Sequence, residues 1–136
     1  MLIRRVMRTP VTTITPDTSV RAAAALMAEL GLGALPVCDN GRPIGILTDR
    51  DIVIRWVPNA IGDINIGRIM SPQIVTCLAD QTIECAAHLM SDMQIRRLVV
   101  VDRDGIIAGI ITLGDIANDA SEELAGQTLG EVVETR

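Results

Sequence analysis

An internal repeat constrains this chain more than any other feature of its sequence. Residues of the first half recur 63 positions later as far as Asp39 and Asp102, and 64 positions later beyond that point. The matched pairs include Asp17 with Asp80, Ala23 with Ala86, Met27 with Met90, Gly45 with Gly109, Thr48 with Thr112 and Asp51 with Asp115. Self-similarity of this kind predicts two copies of one structural unit.

Each copy carries the pattern of a strand, a helix, two strands and a second helix. Polar residues that favour helix N-termini, Asp17-Thr18-Ser19 and Asp80-Gln81-Thr82, precede apolar residues spaced i, i+3, i+4, i+7. The predicted strands cover residues 11–15, 34–38 and 44–48 in the first copy and 74–78, 98–101 and 107–112 in the second. The second helices are expected to begin near Arg50 and Gly114.

The strands read as continuous runs of Val, Ile and Leu, which is typical of strands covered on both faces. Three strands and two helices cannot supply both covers alone, but two copies packed sheet against sheet can. We therefore expect a mixed α/β (α+β) fold in which two β-α-β-β-α repeats pack with pseudo-two-fold symmetry. The expected boundaries are 1–60 for the first repeat, 61–66 for a linker, 67–122 for the second repeat and 123–136 for a tail that is at best weakly helical.

Composition removes several classes of function. All 12 basic residues are arginine, so no lysine is available for a Schiff base or a phosphate loop. The net charge of −5 and the absence of Phe and Tyr argue against nucleic acid and anionic membrane as partners. No apolar run is long enough to span a bilayer. Three cysteines without metal-type spacing are typical of reduced, buried thiols in the cytoplasm. The alternative is one disulfide bridge between two of them.

The end of each third strand reads G-x-x-T-x-x-D, as Gly45 to Asp51 and as Gly109 to Asp115. A hydroxyl at the end of a strand and an acid in the next helical turn would face one crevice beside free backbone N–H groups. Such a crevice suits a phosphate and a ribose diol. The alternative is that each threonine only caps a helix and each acid only follows the helix dipole. Two matched copies favour a binding site.

These residues bring out a resemblance to a known family. Both halves resemble the CBS domain, named after cystathionine β-synthase, and the pair resembles the tandem arrangement called a Bateman module. The resemblance covers about residues 5 to 120. It rests on the two motif ends, the helix acids Asp17 and Asp80, and Leu35-Pro36-Val37 against Leu98-Val99-Val100. The string Gly33 to Val37, followed by Thr48 to Ile54, is similar to short stand-alone CBS pairs of the hypoxic response protein type.

The resemblance implies a non-catalytic regulatory module that binds AMP, ADP, ATP or S-adenosylmethionine in the cleft between two repeats. The ribose would lie on Asp51 or Asp115, with Thr48 and Thr112 near ribose or phosphate. The second copy has Leu113-Gly114 where the first has Asp49-Arg50, so the two sites should differ. The implied ligand-binding residues are Thr13, Leu35, Pro36, Val37, Thr48, Asp51, Thr76, Arg97, Leu98, Val99, Thr112 and Asp115.

Arg97 is a phosphate candidate because the pair Arg96-Arg97 has Gly33-Ala34 at the matching positions, so the fold does not require its charge. The alternative is a solvated pair bonded to Asp92 or Asp102. The arginines at positions 4, 5 and 8 are interpreted as a solvated charge cluster.

Catalysis and metal binding are not expected. His88, the single histidine, falls off the apolar stripe of its helix, and Asp49 with Asp51 gives too few ligands for Mg²⁺ or Ca²⁺. Two hypotheses remain: a nucleotide sensor that acts on an unknown effector protein, and a ligand-free dimerisation or docking module with vestigial sites. Under both, we expect a homodimer whose face includes Ile54, while Trp56 lies either on that face or in the core.

Overall fold

The computed structural model describes residues 1–59 and 62–134, and these residues form two compact units. One unit comprises Thr12–Ile74 and holds most of the first repeat. The other joins Val75–Arg136, which holds the second repeat, to Met1–Val11 from the start of the chain. The segment that leads into the first repeat therefore packs with the second.

The unit Thr12–Ile74 is built around a two-stranded sheet. Helix α1 (Val20–Leu30) is followed by strand β1 (Ala34–Asp39) and strand β2 (Arg42–Thr48), which pair antiparallel. Helix α2 (Asp49–Asp51) continues into the π-helical turns Ile52–Trp56 and a 3₁₀ turn, Val57–Asn59, and a further 3₁₀ turn covers Ile66–Arg68. Ser19 caps α1 through the N–H of Ala22, and Gly31 ends it in the left-handed conformation at φ 65°.

The other unit repeats this order with a third strand. Strand β3 (Thr76–Leu78) pairs parallel to β4 (Arg97–Val101), which pairs antiparallel to β5 (Ile107–Thr112). Helix α3 (Ile83–Met93) separates β3 from β4, and helix α4 (Leu113–Asp119) follows β5. Thr82 caps α3 as Ser19 caps α1. The predicted mixed α/β class and the β-α-β-β-α order are confirmed in this unit.

The first repeat differs at its first strand. Residues 11–15 do not form the predicted strand; only Ile14 makes a bridge, parallel to Val37. Hydrogen bonds join Ile14 N to Pro36 O and Cys38 N to Ile14 O, and the chain then turns into the cap of α1. The single bridge stands where β3 stands in the second repeat.

The tail also differs from the expectation. Residues Glu122–Glu134 form a helix, α5, which packs against α3 and α4. Ala125, Thr128 and Val132 are buried along one face at spacings of three and four residues, so tertiary packing stabilises a segment with only moderate helix propensity. The described residues exclude 60 and 61, which are the last residue of the predicted first repeat and the first of the predicted linker, and 135 and 136 at the end of the tail.

Each unit has its own aliphatic core. In the unit with the second repeat, Ile3 and Val6 from the start of the chain join Ile83, Met90 and Leu98. In the other unit the core is formed by Ile14, Val20, Ala23, Met27, Leu35, Val37, Leu47, Ile66 and Ile69. Within residues 1–59 and 62–134, no helix has the length and apolar character needed to cross a bilayer.

The cysteines are free thiols, and two of the three are buried as expected. Burial raises the pKa of Cys38 above its usual value and raises the pKa of Cys77 to about 11, with a smaller contribution from the charge of Cys85. Cys85 is exposed.

The glycine of each G-x-x-T-x-x-D motif permits a close backbone approach. Arg8 bridges antiparallel to Ile110 of β5, and a Cβ at Gly109 would lie 2.9 Å from the carbonyl oxygen of Arg8. In the other unit Ser71 bridges to Ile46 of β2, and a Cβ at Gly45 would lie 2.6 Å from the carbonyl oxygen of Ser71. The preceding residues crowd the same two positions: the sulfur of Met7 would lie 2.6 Å from a Cβ at Gly109, and the sulfur of Met70 would lie 3.1 Å from a Cβ at Gly45.

The close approach makes Gly109→Ala a test of the fold. The new methyl group has no room beside the backbone of Arg8, so we expect a loss of about 1–3 kcal/mol in the free energy of unfolding, typical of overpacking. Gly130→Ala is the matched control, since nothing lies within 4 Å of its Cβ and it sits inside α5. There we expect a gain of about 0.5–1 kcal/mol from helix propensity. Urea unfolding would measure both, and equal effects would contradict the close approach.

Candidate functional site

The end of the first motif is a reciprocal helix cap. The backbone N–H of Asp51 donates to Thr48 Oγ1 at 3.1 Å, and the backbone N–H of Thr48 donates to Asp51 Oδ2 at 2.9 Å. This is a capping box closed within three residues, with aspartate in the place that glutamate or glutamine usually holds. Thr48 and Asp51 are thus brought together, and Asp51 is buried at 7% exposure.

The second motif has the same geometry. Thr112 and Asp115 exchange hydrogen bonds of 3.1 and 2.9 Å, and Asp115 is 3% exposed. The threonines therefore do cap helices, as the alternative interpretation of the motif expected. The cap also uses the N–H of Asp115, so that donor is not free for a phosphate. What remains on each acid is its second oxygen, Oδ1.

The two Oδ1 atoms have different surroundings. Asp115 Oδ1 accepts a hydrogen bond of 2.7 Å from Arg8 Nε, and this ion pair raises the pKa of Arg8 above its usual value, first through the hydrogen bond and then through charge attraction. Among the described residues, the polar neighbours of Asp51 Oδ1 are Ser71 Oγ at 3.5 Å and Arg55 Nε at 3.8 Å. The first acid therefore keeps an oxygen without a short hydrogen bond.

The contact between Arg8 and the predicted site residue Asp115 was not foreseen from the sequence, because Arg8 was assigned to a solvated cluster with Arg4 and Arg5. The side chain of Arg8 is indeed 70% exposed, but it also reaches a buried carboxylate 107 positions away. A signal was present in the sequence: Arg8 follows Met7 just as Ser71 follows Met70. The matched methionines, Met7 and Met70, could have indicated that positions 8 and 71 are equivalent.

Backbone alternation divides the predicted apolar contacts into two groups. Leu35, Val37 and Leu98 are buried in the two cores. Pro36 and Val99 are also buried, but they lie outside those clusters because successive side chains of a strand point to opposite faces. Their cross-strand partners are Ile46 and Ile110, which are partly exposed. Thr13 is half-buried beside the Ile14 bridge, whereas Thr76 is exposed at the start of β3.

Arg97 lines an open cleft in the unit that holds the second repeat. The cleft has a volume of about 530 Å³, and its lining includes Thr112, Gly114, Ala125 and Leu129. Arg96 lines it too, and neither arginine side chain has a hydrogen bond or ion pair with another described residue. The alternative partners are engaged elsewhere: Asp92 lies by His88, and Asp102 accepts the N–H groups of residues 104 and 106.

Comparison with known proteins identifies the family. The CBS domain model matches residues 3–56 and again residues 63–122. The chain belongs to the CBS domain family, as a tandem pair. It is 37% identical over 132 residues to the CBS domain-containing protein YhcV of Bacillus subtilis, covering 96% of this chain and 94% of that protein. It is also 34% identical to hypoxic response protein 1 of Mycobacterium tuberculosis, covering 88% of this chain and 85% of that protein.

Solved CBS structures share the fold. A CBS domain protein from Pyrobaculum aerophilum, complexed with AMP, matches with a TM-score of 0.78 and 25% identity, over 93% of this chain and 99% of that one. The CBS domain pair of protein MJ0100, in complex with 5′-methylthioadenosine and S-adenosyl-L-methionine, matches with a TM-score of 0.77 and 27% identity, over 93% of this chain and 98% of that one.

The remaining candidate residues lie away from the motif ends of the CBS domains. The side chain of His88 is 78% exposed, with Asp92 at 3.3 Å. Trp56 is partly buried against the core of its unit and donates its indole N–H to Gly62 O at 3.0 Å, so it lies at the edge of the core. Among the described residues, no three His, Cys, Asp or Glu side chains group closely enough to hold a metal ion.

Proposed function

We propose that this CBS pair is a non-catalytic regulatory module that binds an adenosine-type ligand: AMP, ADP, ATP or S-adenosylmethionine. One observation carries the proposal. Each CBS domain fixes a buried aspartate, Asp51 or Asp115, at the start of the helix after its last strand, through an identical reciprocal cap. A carboxylate held in this way is preorganised to accept hydrogen bonds, because its rotamer no longer has to be ordered on binding.

The structural relatives support adenosine as the shared part of the ligand. The Pyrobaculum protein holds AMP, and the MJ0100 pair holds 5′-methylthioadenosine and S-adenosyl-L-methionine. These three compounds share adenine and ribose and differ at the 5′ substituent. We therefore propose that the ribose diol donates hydrogen bonds to the Oδ1 atoms of Asp51 and Asp115. Carboxylates accept hydrogen bonds from ribose in the same way in dinucleotide-binding sites.

The other predicted contacts are placed around this anchor. We propose that adenine packs on the strand face of Pro36 in the first domain and of Val99 in the second, with Thr13 and Thr76 near these contacts. Leu35, Val37 and Leu98 support that surface from the cores behind it. Arg97 is proposed to hold a phosphate, since its guanidinium lines an open cleft beside Thr112 and has no partner among the described residues.

Asp51→Asn tests the ribose assignment while keeping the cap. The amide oxygen can still accept the N–H of Thr48, but the charge is lost. We expect titration calorimetry with AMP to show about a tenfold or greater loss of affinity at the first domain, since hydrogen bonds to charged groups contribute about 1.5–3 kcal/mol. The equivalent loss at the second domain is expected for Asp115→Asn.

Asp49→Asn is the matched control for that experiment. Asp49 lies in the same turn, is exposed, and undergoes the same change of charge. Its AMP affinity should stay within about twofold of the unmodified chain, as expected for a solvated charge. If all three variants bind AMP equally well, the acids are only helix caps and the ribose assignment is wrong.

Arg97→Ala tests the phosphate assignment. The variant should bind AMP about five- to tenfold more weakly and bind uncharged adenosine with unchanged affinity, because only the phosphate loses a partner. Raised salt should weaken AMP binding by the unmodified chain more than by the variant. Arg5→Ala is the charge-matched control. Equal losses for AMP and adenosine would mean that Arg97 shapes the pocket and does not bind phosphate.

A second candidate function, a dimerisation or docking module, is favoured by an exposed apolar face. Val53, Ile54 and Val57 follow α2 and are 61%, 51% and 56% exposed. We propose that this face, without Trp56, forms a homodimer, since exposed apolar clusters of this kind mark interfaces and two-fold dimers are the commonest assembly.

The double variant Val53→Asp, Val57→Asp tests the dimer. These residues lie four positions apart on the same helical face, so two carboxylates there should prevent apolar contact. Light scattering at micromolar concentration should give a dimer mass for the unmodified chain and a monomer mass for the variant. Val133→Asp is the control, since Val133 is 40% exposed on α5. A monomer mass for the unmodified chain would refute the homodimer.

A further inference from the structure

Both carboxylate oxygens of Asp115, the acid of the second domain, accept hydrogen bonds from the chain itself. Asp115 is 3% exposed, and both of its oxygens have short hydrogen bonds, one to the Thr112 backbone and one to Arg8 Nε. The side chain of Arg8 is itself 70% exposed. A guanidinium that is mostly in water therefore occupies the one carboxylate oxygen that the helix cap leaves over.

The backbone places the residue at position 8 and the residue at position 71 in the same way. Arg8 N donates to Ile110 O at 2.7 Å and Ile110 N donates to Arg8 O at 3.1 Å. Ser71 N donates to Ile46 O at 2.9 Å and Ile46 N donates to Ser71 O at 3.0 Å. The backbone at positions 8 and 71 is therefore equivalent, and the two domains differ there only in the side chain, which is arginine in one and serine in the other.

We propose that Arg8 is a built-in competitor that occupies the ribose-accepting oxygen of Asp115 and makes the second CBS domain the weaker adenosine site. The inference rests on the proposed function, because it assumes that the ribose diol is accepted by these aspartates. In the first domain the matching position holds Ser71, whose hydroxyl lies 3.5 Å from Asp51 Oδ1. The Arg55 guanidinium lies 3.8 Å from that oxygen, and no arginine among the described residues donates a hydrogen bond to it.

Competition of this kind should be modest in size. A ligand hydroxyl must replace Arg8 at Asp115 Oδ1, and the released guanidinium returns to water, where it is already mostly exposed. Ion pairs with one solvated partner contribute little to stability. We expect the competition to weaken ribose binding about three- to tenfold, not to abolish it. The other charges nearby are Asp119, which attracts Arg8, and in the first domain Arg55, which lies 3.8 Å from Asp51.

The test uses adenosine, because an uncharged ligand does not respond to the loss of positive charge as a phosphate would. Asp51→Asn provides the background in which the second domain is the remaining site. In that background Arg8→Ser should tighten adenosine binding about three- to tenfold by titration calorimetry. Arg5→Ser, with the same loss of charge in the same N-terminal segment, should leave the affinity unchanged. Unchanged or weaker binding in Arg8→Ser would overturn the inference.

The reciprocal exchange tests the same idea in the first domain. In an Asp115→Asn background the first domain is the remaining site, and Ser71→Arg places a guanidinium where Arg8 stands in the other domain. Adenosine binding should weaken about three- to tenfold, and Ser71→Ala should not reproduce the loss. Equal affinity in Ser71→Arg and the background would count against competition.

Failure of the inference and failure of the proposed function give different results. If adenosine, AMP, ADP, ATP and S-adenosylmethionine all fail to bind the unmodified chain and the variants, the proposed function is wrong, and Arg8 has nothing to compete with. If the two sites of the unmodified chain bind adenosine with the same affinity, the proposed function stands and the role of Arg8 is refuted. Unequal sites that Arg8→Ser makes equal would support both.

Discussion

The rest of this structure depends on two close backbone contacts, of Arg8 with β5 and of Ser71 with β2. They require glycine at positions 109 and 45, since a Cβ there would meet the carbonyl oxygen of Arg8 or Ser71 at 2.9 or 2.6 Å. The contacts fix the side chains of residues 8 and 71 beside the two buried acids. The glycine of the G-x-x-T-x-x-D motif is therefore required by the fold.

The caps show how one arrangement can serve stability and binding together. Thr48 and Asp51 satisfy each other's backbone N–H groups, which stabilises the first helical turn. The same bonds hold the carboxylate in one orientation, with Oδ1 left over. In this arrangement the structural and the functional interpretation of the motif do not compete, because they use different oxygens of one side chain. The functional question is reduced to what occupies Oδ1.

Repetition has not made the two domains equivalent. Asp115 has an arginine at 2.7 Å, whereas Asp51 has a serine hydroxyl at 3.5 Å and an arginine at 3.8 Å. Helix α5 packs on α3 and α4 of one unit, whereas Val53, Ile54 and Val57 stay exposed in the other. Under the proposed competition by Arg8, the two sites would fill at different ligand concentrations, and the pair would respond over a wider range than two equal sites.

The sequence by itself determined the repeat, the order of the elements, the family and the two threonine–aspartate pairs, because these depend on periodicity and on residues within three positions of each other. The sequence wrongly predicted a strand at residues 11–15. The structure has a single bridge there, from Ile14 to Val37, because strand pairing at that point depends on how the sheet edge is completed. The sequence also missed helix α5, which is stabilised by burial of Ala125, Thr128 and Val132 against other helices. Only the tertiary structure decided that Arg8 meets Asp115. Their 107-residue separation leaves no local pattern, and the contact exists because the first eleven residues pack in the unit of the second repeat.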